Sequence, residues 1–174
     1  ILTLNEASNI EACLDSVSFA DDVVVLDSYS SDYTVALAEA KGASVVQRKF
    51  DNWAAHQNWA MVNVEFKHQW VFYLDADERM TPKLQAEILA IAANEDDSRR
   101  GFSVGRTNYF MGRTIEHCYP AVPIMRFFQP KYIRYERLVN PIALIDGETG
   151  HLQHRFLHYN FSKGLTEWFD KHNK

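Results

Sequence analysis

With 174 residues the chain can bury one core but not two comfortable ones. Hydrophobic residues make up 47% and aromatics 13%, which excludes a disordered chain. A formal net charge of −5 excludes broad nucleic-acid binding, where a basic excess neutralises phosphates, yet leaves room for one small anionic ligand met through a metal.

Ile1–Leu4 reads as the end of a strand. Ser8-x-x-Glu11 has the form of a capping box, followed by Ile10, Cys13, Leu14 and Val17 on one helical face. Val23–Leu26 is a continuous apolar run, as expected of a strand buried on both sides. Thr34–Lys41 predicts a helix stopped by Gly42, with an N-cap at Asp32. Ser44–Gln47 is the next strand. Trp53–Val64 follows as a helix with Trp53, Gln57, Ala60, Met61 and Val64 on one side, and Trp70–Leu74 as another buried strand. Thr81-Pro82 is a helix start, an N-cap residue before a proline at the first helical position. Leu84, Ile88, Leu89 and Ala92 supply that helix's inward face. Beyond about Gly101 the pattern changes to glycine, arginine and aromatics, with short strands at Phe102–Arg106, Met125–Gln129 and Tyr132–Tyr135.

Strand and helix alternating at this spacing imply right-handed βαβ crossovers and a mostly parallel sheet. Ligands bind such sheets outside the carboxyl ends of the strands. That rule selects Asn5-Glu6, Asp27-Ser28 and Asp75–Glu78, each directly after a strand. An Asp-x-Asp triplet is expected by chance about once in a chain this rich in aspartate, so Asp75-Ala76-Asp77 means little until it is placed. Delivered by Trp70–Leu74 to the open sheet edge, its two hard oxygen donors suit Mg²⁺ or Mn²⁺; a solvated acidic turn is the alternative. The loop Asp27–Thr34 carries Asx and Ser turn chemistry as well as a carboxylate able to accept from a base or ribose. Arg106, Arg113 and Arg126 are candidates to grip a phosphate, with surface ion pairing as the alternative.

Cys13 and Cys118 fit neither a disulfide framework nor a zinc cluster, and read as isolated thiols of a reducing compartment. No run of about 18 apolar residues exists to span a membrane, and no signal peptide is seen. Both ends read as cut, so any targeting or membrane-contacting segment is expected outside this chain.

Together, Leu2–Glu6, Val25–Thr34 and Leu74–Arg79 resemble family 2 glycosyltransferases of the GT-A fold. More narrowly they resemble the bacterial branch that adds sugars to lipopolysaccharide core or exopolysaccharide. The resemblance implies a single GT-A domain over 1–174, three-layered α/β/α with a mostly parallel central sheet and a smaller mixed C-terminal part. Residues 1–100 would form the nucleotide-binding half and 101–174 the acceptor-binding half. It places Leu4, Asn5, Glu6, Asp27, Ser30, Asp32, Asn58, Asp75 and Ala76 at the nucleotide, and Asp75, Asp77 and His158 at a divalent metal. Arg106, Gly112, Arg113 and Arg126 would face donor sugar and acceptor. The implied partners are a nucleotide-sugar donor and a glycan or lipid-linked acceptor, handled in the cytoplasm or at the inner membrane face.

Two departures stand out. Where the branch usually has Val-His-Glu, supplying the catalytic base, this chain has Val139-Asn140-Pro141, and neither Asn nor Pro is a useful base. Glu136 is the substitute candidate, with Glu116 second. Gln57 also stands where a basic residue is common. The expected reaction is an inverting, metal-assisted displacement. The alternatives are a degenerate nucleotide-sugar-binding domain and an aspartyl-phosphate phosphatase, whose motif Arg79 and the preceding strands fit poorly.

Overall fold

The computed structural model describes residues 1–115 and 122–173. In chain order the first half comprises β1 (Leu2–Thr3), α1 (Ile10–Ser16), β2 (Val24–Asp27), α2 (Thr34–Ala40), β3 (Ser44–Gln47), α3 (Trp53–Asn63), β4 (Val71–Phe72), β5 (Glu78–Arg79) and α4 (Pro82–Ala92). The second half is mostly strand: β6 (Gly101–Val104), β7 (Arg106–Phe110), β8 (Arg113–Ile115), β9 (Ile124–Phe128), β10 (Ile133–Glu136), β11 (Ile142–Ile145), β12 (Thr149–His151) and β13 (Phe156–His158), closed by α5 (Leu165–His172).

β1, β2 and β3 pair in parallel, in the order β1-β2-β3. Leu2 also bridges Asp75 in parallel, donating to the Leu74 carbonyl at 3.0 Å and accepting from Ala76 at 3.2 Å. The strand of β4 thereby joins the other side of β1. β9 then pairs antiparallel with both β4 and β6, and β12 runs parallel to β6. The expected mostly parallel sheet is thus wholly parallel only over β1–β3; in the second half parallel pairs (β12 with β6, β13 with β7) mix with antiparallel ones, and β9 reverses direction. This is a GT-A arrangement.

Most sequence expectations hold locally. Ile10, Cys13, Leu14 and Val17 are buried, and Thr81 Oγ1 accepts from Leu84 N at 3.3 Å ahead of Pro82. Gly42 ends α2 with φ +81°, a left-handed conformation that costs a glycine little. Three details differ. The Ser8–Glu11 capping box does not form: Asn9 is the N-cap and its amide donates instead to Glu6 and Ser162. Tyr33 occupies the N-cap position of α2 without a side-chain bond, while Asp32, one residue earlier, accepts from Thr34 N at 3.0 Å. Leu89 and Trp53 are 49% and 41% exposed; the buried faces of α4 and α3 are centred on Leu84/Ile88 and Ala54/His56/Gln57/Ala60.

The largest core cluster lies between α1, α4 and the central sheet, with Leu74, Leu84, Phe102, Phe127 and Phe156 at its centre. Burying an aromatic or aliphatic side chain of this size contributes about 1.5–3 kcal/mol. Those contacts hold the sheet edge on which Asp75 and Asp77 sit. Cys13 is part of this cluster, and burial pushes its thiol up to about 12, so it is inert packing. Cys118 lies outside the described residues. Among the described residues no helix is long and apolar enough to cross a membrane.

Candidate functional site

The loops after β1 and β2 are knitted into one surface. Asn5, at φ +54°, donates its backbone N–H to Ser30 Oγ at 2.8 Å and accepts from Ser31 N at 2.8 Å. Glu6 N donates to Thr34 Oγ1 at 2.7 Å, and Ala7 N to Asp32 at 3.1 Å. Asp32 also accepts from Thr34 N and Oγ1. Burial alone would raise its pKa, but these donors outweigh burial and hold the carboxyl below the usual range. Asp27 is fully buried beneath this surface. Its carboxylate accepts from Ser30 N at 2.9 Å, from Ser30 Oγ, and from Gln47 Nε2 at 3.0 Å. In this arrangement Asp27 organises the loop, while Leu4 and Tyr29 are exposed at its rim.

Asp75 sits at the adjoining strand end, with Ala76 buried behind it. Asp75 Oδ1 accepts from Tyr73 OH at 2.7 Å, and Oδ2 from Arg126 at 2.8 Å. The same Arg126 nitrogen donates to Glu78 Oε1 at 2.7 Å, and Glu78 Oε2 accepts from Asp75 N at 2.9 Å. Arg126 also lies over the Tyr73 ring, 4.0 Å from its centroid. Burial pushes the Glu78 carboxyl up to about 8, against the opposing pull of Arg126. Arg126 is therefore not a phosphate grip in the cleft. It is a buried cation that fixes two carboxylates.

Asp77 faces a different set of strands. β13 pairs antiparallel with β5, placing His158 opposite Glu78, and parallel with β7, placing His158 opposite Asn108. His158 Nε2 then lies 3.6 Å from Asp77 Oδ2, while its Nδ1 is 2.8 Å from Asn108 Oδ1. A cleft of about 210 Å³ opens over this pair, lined also by Glu6, Arg106, Asn160, Lys163, Glu167 and Trp168. Lys163 bridges the cleft's carboxylates, at 2.6 Å from Glu6 and 3.0 Å from Glu167, and donates to the Asn5 carbonyl at 2.9 Å. The segment before α5 is thereby fastened to the β1 loop.

The remaining candidates are dispersed. Asn58 is committed to backbone: it donates to Tyr135 O and accepts from Tyr135 N, both at 2.8 Å, tying α3 to β10. That spends both ends of the side chain on structure. Gly112 takes φ +77° in the tight turn of the β7–β8 hairpin, beside an exposed Arg113. Glu136 is solvent-facing at the end of β10, beside Tyr135, and pairs with Arg134 at 3.2 Å; it does not line the cleft at Asp77. Glu116 lies outside the described residues.

Among the described residues no group of three or more His, Cys, Asp or Glu is placed to hold a metal. The donor chemistry still fits a hard divalent ion that takes its other ligands from phosphate and water, because such ions use few protein donors. Asp77 and His158 are the facing pair, and Asp75 is braced beside them. Sequence reasoning missed Asn108, Lys163 and Glu167. Asn108 was within reach of it, since a strand repeats every second residue and Arg106 was already singled out. Lys163 and Glu167 have the spacing of a helical ion pair.

The family model described as Glycosyl transferase family 2 matches residues 1–159. An uncharacterized glycosyltransferase of Rickettsia bellii is 39% identical over 100 residues, covering 57% of this chain and 33% of the relative. The lipopolysaccharide core biosynthesis glycosyltransferase LpsC of Rhizobium meliloti is 29% identical over 115 residues, covering 64% and 42%. The chain thus spans well under half the length of these curated relatives. A crystal structure of a mycobacterial protein shares the fold, with a TM-score of 0.51 at 20% identity, covering 62% of this chain and 39% of that one.

Proposed function

The chain belongs to glycosyltransferase family 2, and from that premise we propose that it transfers a sugar, with inversion, from a nucleoside-diphosphate sugar to a glycan or lipid-linked acceptor. The setting proposed is bacterial surface polysaccharide synthesis at the cytoplasmic membrane face, in keeping with the name of the LpsC relative. Membrane contact is assigned to segments outside this chain. The family leaves no place for the phosphatase alternative.

The observation that carries the reading is Asp77 facing His158 at the edge where the Asn5 and Asp27 loops also end. Asp77 and His158 would hold Mg²⁺ or Mn²⁺, with Asp75 alongside. When bound, the ion neutralises charge developing on the departing diphosphate. The knitted loops at Asn5, Ser30 and Asp32 offer the surface for the nucleotide, and Arg106 offers a cation on the cleft wall. Lys163 keeps Glu6 and Glu167 paired there, so the cleft is not a pool of unbalanced negative charge.

Donor binding is tested by thermal shift with a panel of nucleotide-sugars, with and without Mn²⁺. A ligand at about 100 times its Kd adds about 2.7 kcal/mol to the folded state. One nucleotide-sugar is expected to raise Tm, and to do so only with the metal; no shift with any of them would sink the reading. A shift without transfer or hydrolysis would favour the degenerate binding domain, the reading that Val139-Asn140-Pro141 motivates.

The acceptor proton is assigned to Glu136, the carboxylate nearest in sequence to Val139-Asn140-Pro141, although it stands on the exposed face of β10 outside the cleft at Asp77. Glu136→Gln is expected to lower kcat roughly 100-fold with donor binding unchanged. Unchanged kcat would move the role to Glu167, the exposed carboxylate on the cleft wall.

A further inference from the structure

We propose that Asn108 is a positioning residue: it fixes the tautomer of His158 and so aims Nε2 at a cation shared with Asp77. The assignment rests on reading Asp77 and His158 as the metal-holding pair.

Parallel pairing of β7 with β13 makes Asn108 and His158 register partners, so their side chains leave the sheet on the same face. Asn108 is only 7% exposed, which leaves its carbonyl oxygen little access to water. That oxygen lies 2.8 Å from His158 Nδ1. An amide oxygen only accepts, so the ring nitrogen facing it must carry the proton. A neutral imidazole with its proton on Nδ1 has a bare lone pair on Nε2. Nε2 in turn lies 3.6 Å from Asp77 Oδ2, an atom that only accepts when the carboxyl is ionised. Nε2 is thus turned, unprotonated, toward the Asp77 carboxylate at the mouth of the cleft. A cation shared by the two would take one donor atom from each.

The opposite tautomer would place a proton on Nε2, which would donate to Asp77 and close the pair to a metal. Asn108 prevents this without adding charge. Histidine ligands are generally held this way, by an acceptor on the ring nitrogen that does not bind the metal. The sheet supplies the acceptor here from a strand some fifty residues away in sequence.

The tautomer is read directly in metal-free protein by ¹⁵N NMR of labelled histidine at about pH 8, where an ordinary imidazole is neutral. The His158 signal is identified by its loss in His158→Gln. Wild type is expected to show Nδ1–H, Asn108→Leu to shift the proton to Nε2, and Asn108→Asp, which keeps an acceptor in place, to retain Nδ1–H. Mn²⁺ titration followed by electron paramagnetic resonance should show binding about 10–100-fold weaker in Asn108→Leu and restored to within about threefold in Asn108→Asp. An Nε2–H tautomer in wild type, or Mn²⁺ binding unchanged in Asn108→Leu, overturns the proposal. Wild-type protein that binds no Mn²⁺ overturns the metal reading itself, and with it the purpose assigned to Asn108.

Discussion

Asp77→Ala is expected to lose about 100–1000-fold in sugar transfer, the range seen when one preorganised group that stabilises developing charge is removed. The reason is placement. Asp77 presents its carboxylate 3.6 Å from the only nitrogen of His158 not engaged by Asn108. Asp75 accepts from Tyr73 and Arg126. The side chain of Asp77 is 19% exposed and lines the cleft, so the loss of activity is read against the Tm of the same variant. Activity and Mn²⁺ affinity are measured on the same preparation, with Tm as the control for folding. Full activity in Asp77→Ala would refute the metal assignment. Loss of activity with Mn²⁺ affinity intact would instead make Asp77 a contact to donor or acceptor.

The parallel half of the fold was legible because its signals are local. Val23–Leu26 and Ser44–Gln47 are short apolar or β-type runs bounded by helix patterns, and the structure places strands at Val24–Asp27 and Ser44–Gln47. The rule that ligands meet the carboxyl ends of strands then brought Asn5, Asp27 and Asp75 to one edge, where the structure also has them. The second half was legible at β6, β9 and β10 but not at β8 or β11–β13, nor as a sheet. β9 pairs antiparallel with both β4 and β6, and nothing in the Ile124–Phe128 run announces its direction. The capping box failed for a related reason. Ser8 and Glu11 have the right spacing, but Asn9 is drawn to Ser162, a partner 153 positions away.

The candidate site divides the same way. His158 could be suspected only through a resemblance; its approach to Asp77 is made by β5–β13 pairing, a long-range fact. Arg126 illustrates the converse. Three arginines looked equally able to bind phosphate, because sequence gives no burial. Arg113 is exposed on a hairpin and Arg106 lines the cleft. Arg126 sits on β9 with its side chain turned inward, where Tyr73, Asp75 and Glu78 close around it. Asn58 was read as a nucleotide contact, yet both its amide atoms are bonded to the backbone of Tyr135.

That burial makes Arg126→Met the substitution with the largest expected cost in stability, about 3–5 kcal/mol, because removing one partner of a buried pair strands the other charge. For a chain of this size the loss corresponds to roughly 10 °C in Tm. Its pH dependence follows from Glu78, whose carboxyl is raised from 4.5 to about 8 by burial. A raised carboxyl binds its proton more tightly in the folded state. Its contribution is therefore fully present below the unfolded value and is lost as pH rises from 4.5 toward about 8. Arg126 opposes that loss by holding the ionised form. Without it the folded value rises further and the loss extends to higher pH, so the deficit of Arg126→Met relative to wild type should be larger at the alkaline end of this window than at the acid end. Denaturant midpoints across the window, at constant m, measure it. The double variant Arg126→Met with Glu78→Gln should recover much of the stability, because neither buried charge then stands alone. Equal stability of Arg126→Met and wild type at the alkaline end would show that Glu78 is not held ionised by this guanidinium. Failure of the double variant to recover would place the cost at Asp75 instead, the other carboxylate that Arg126 contacts.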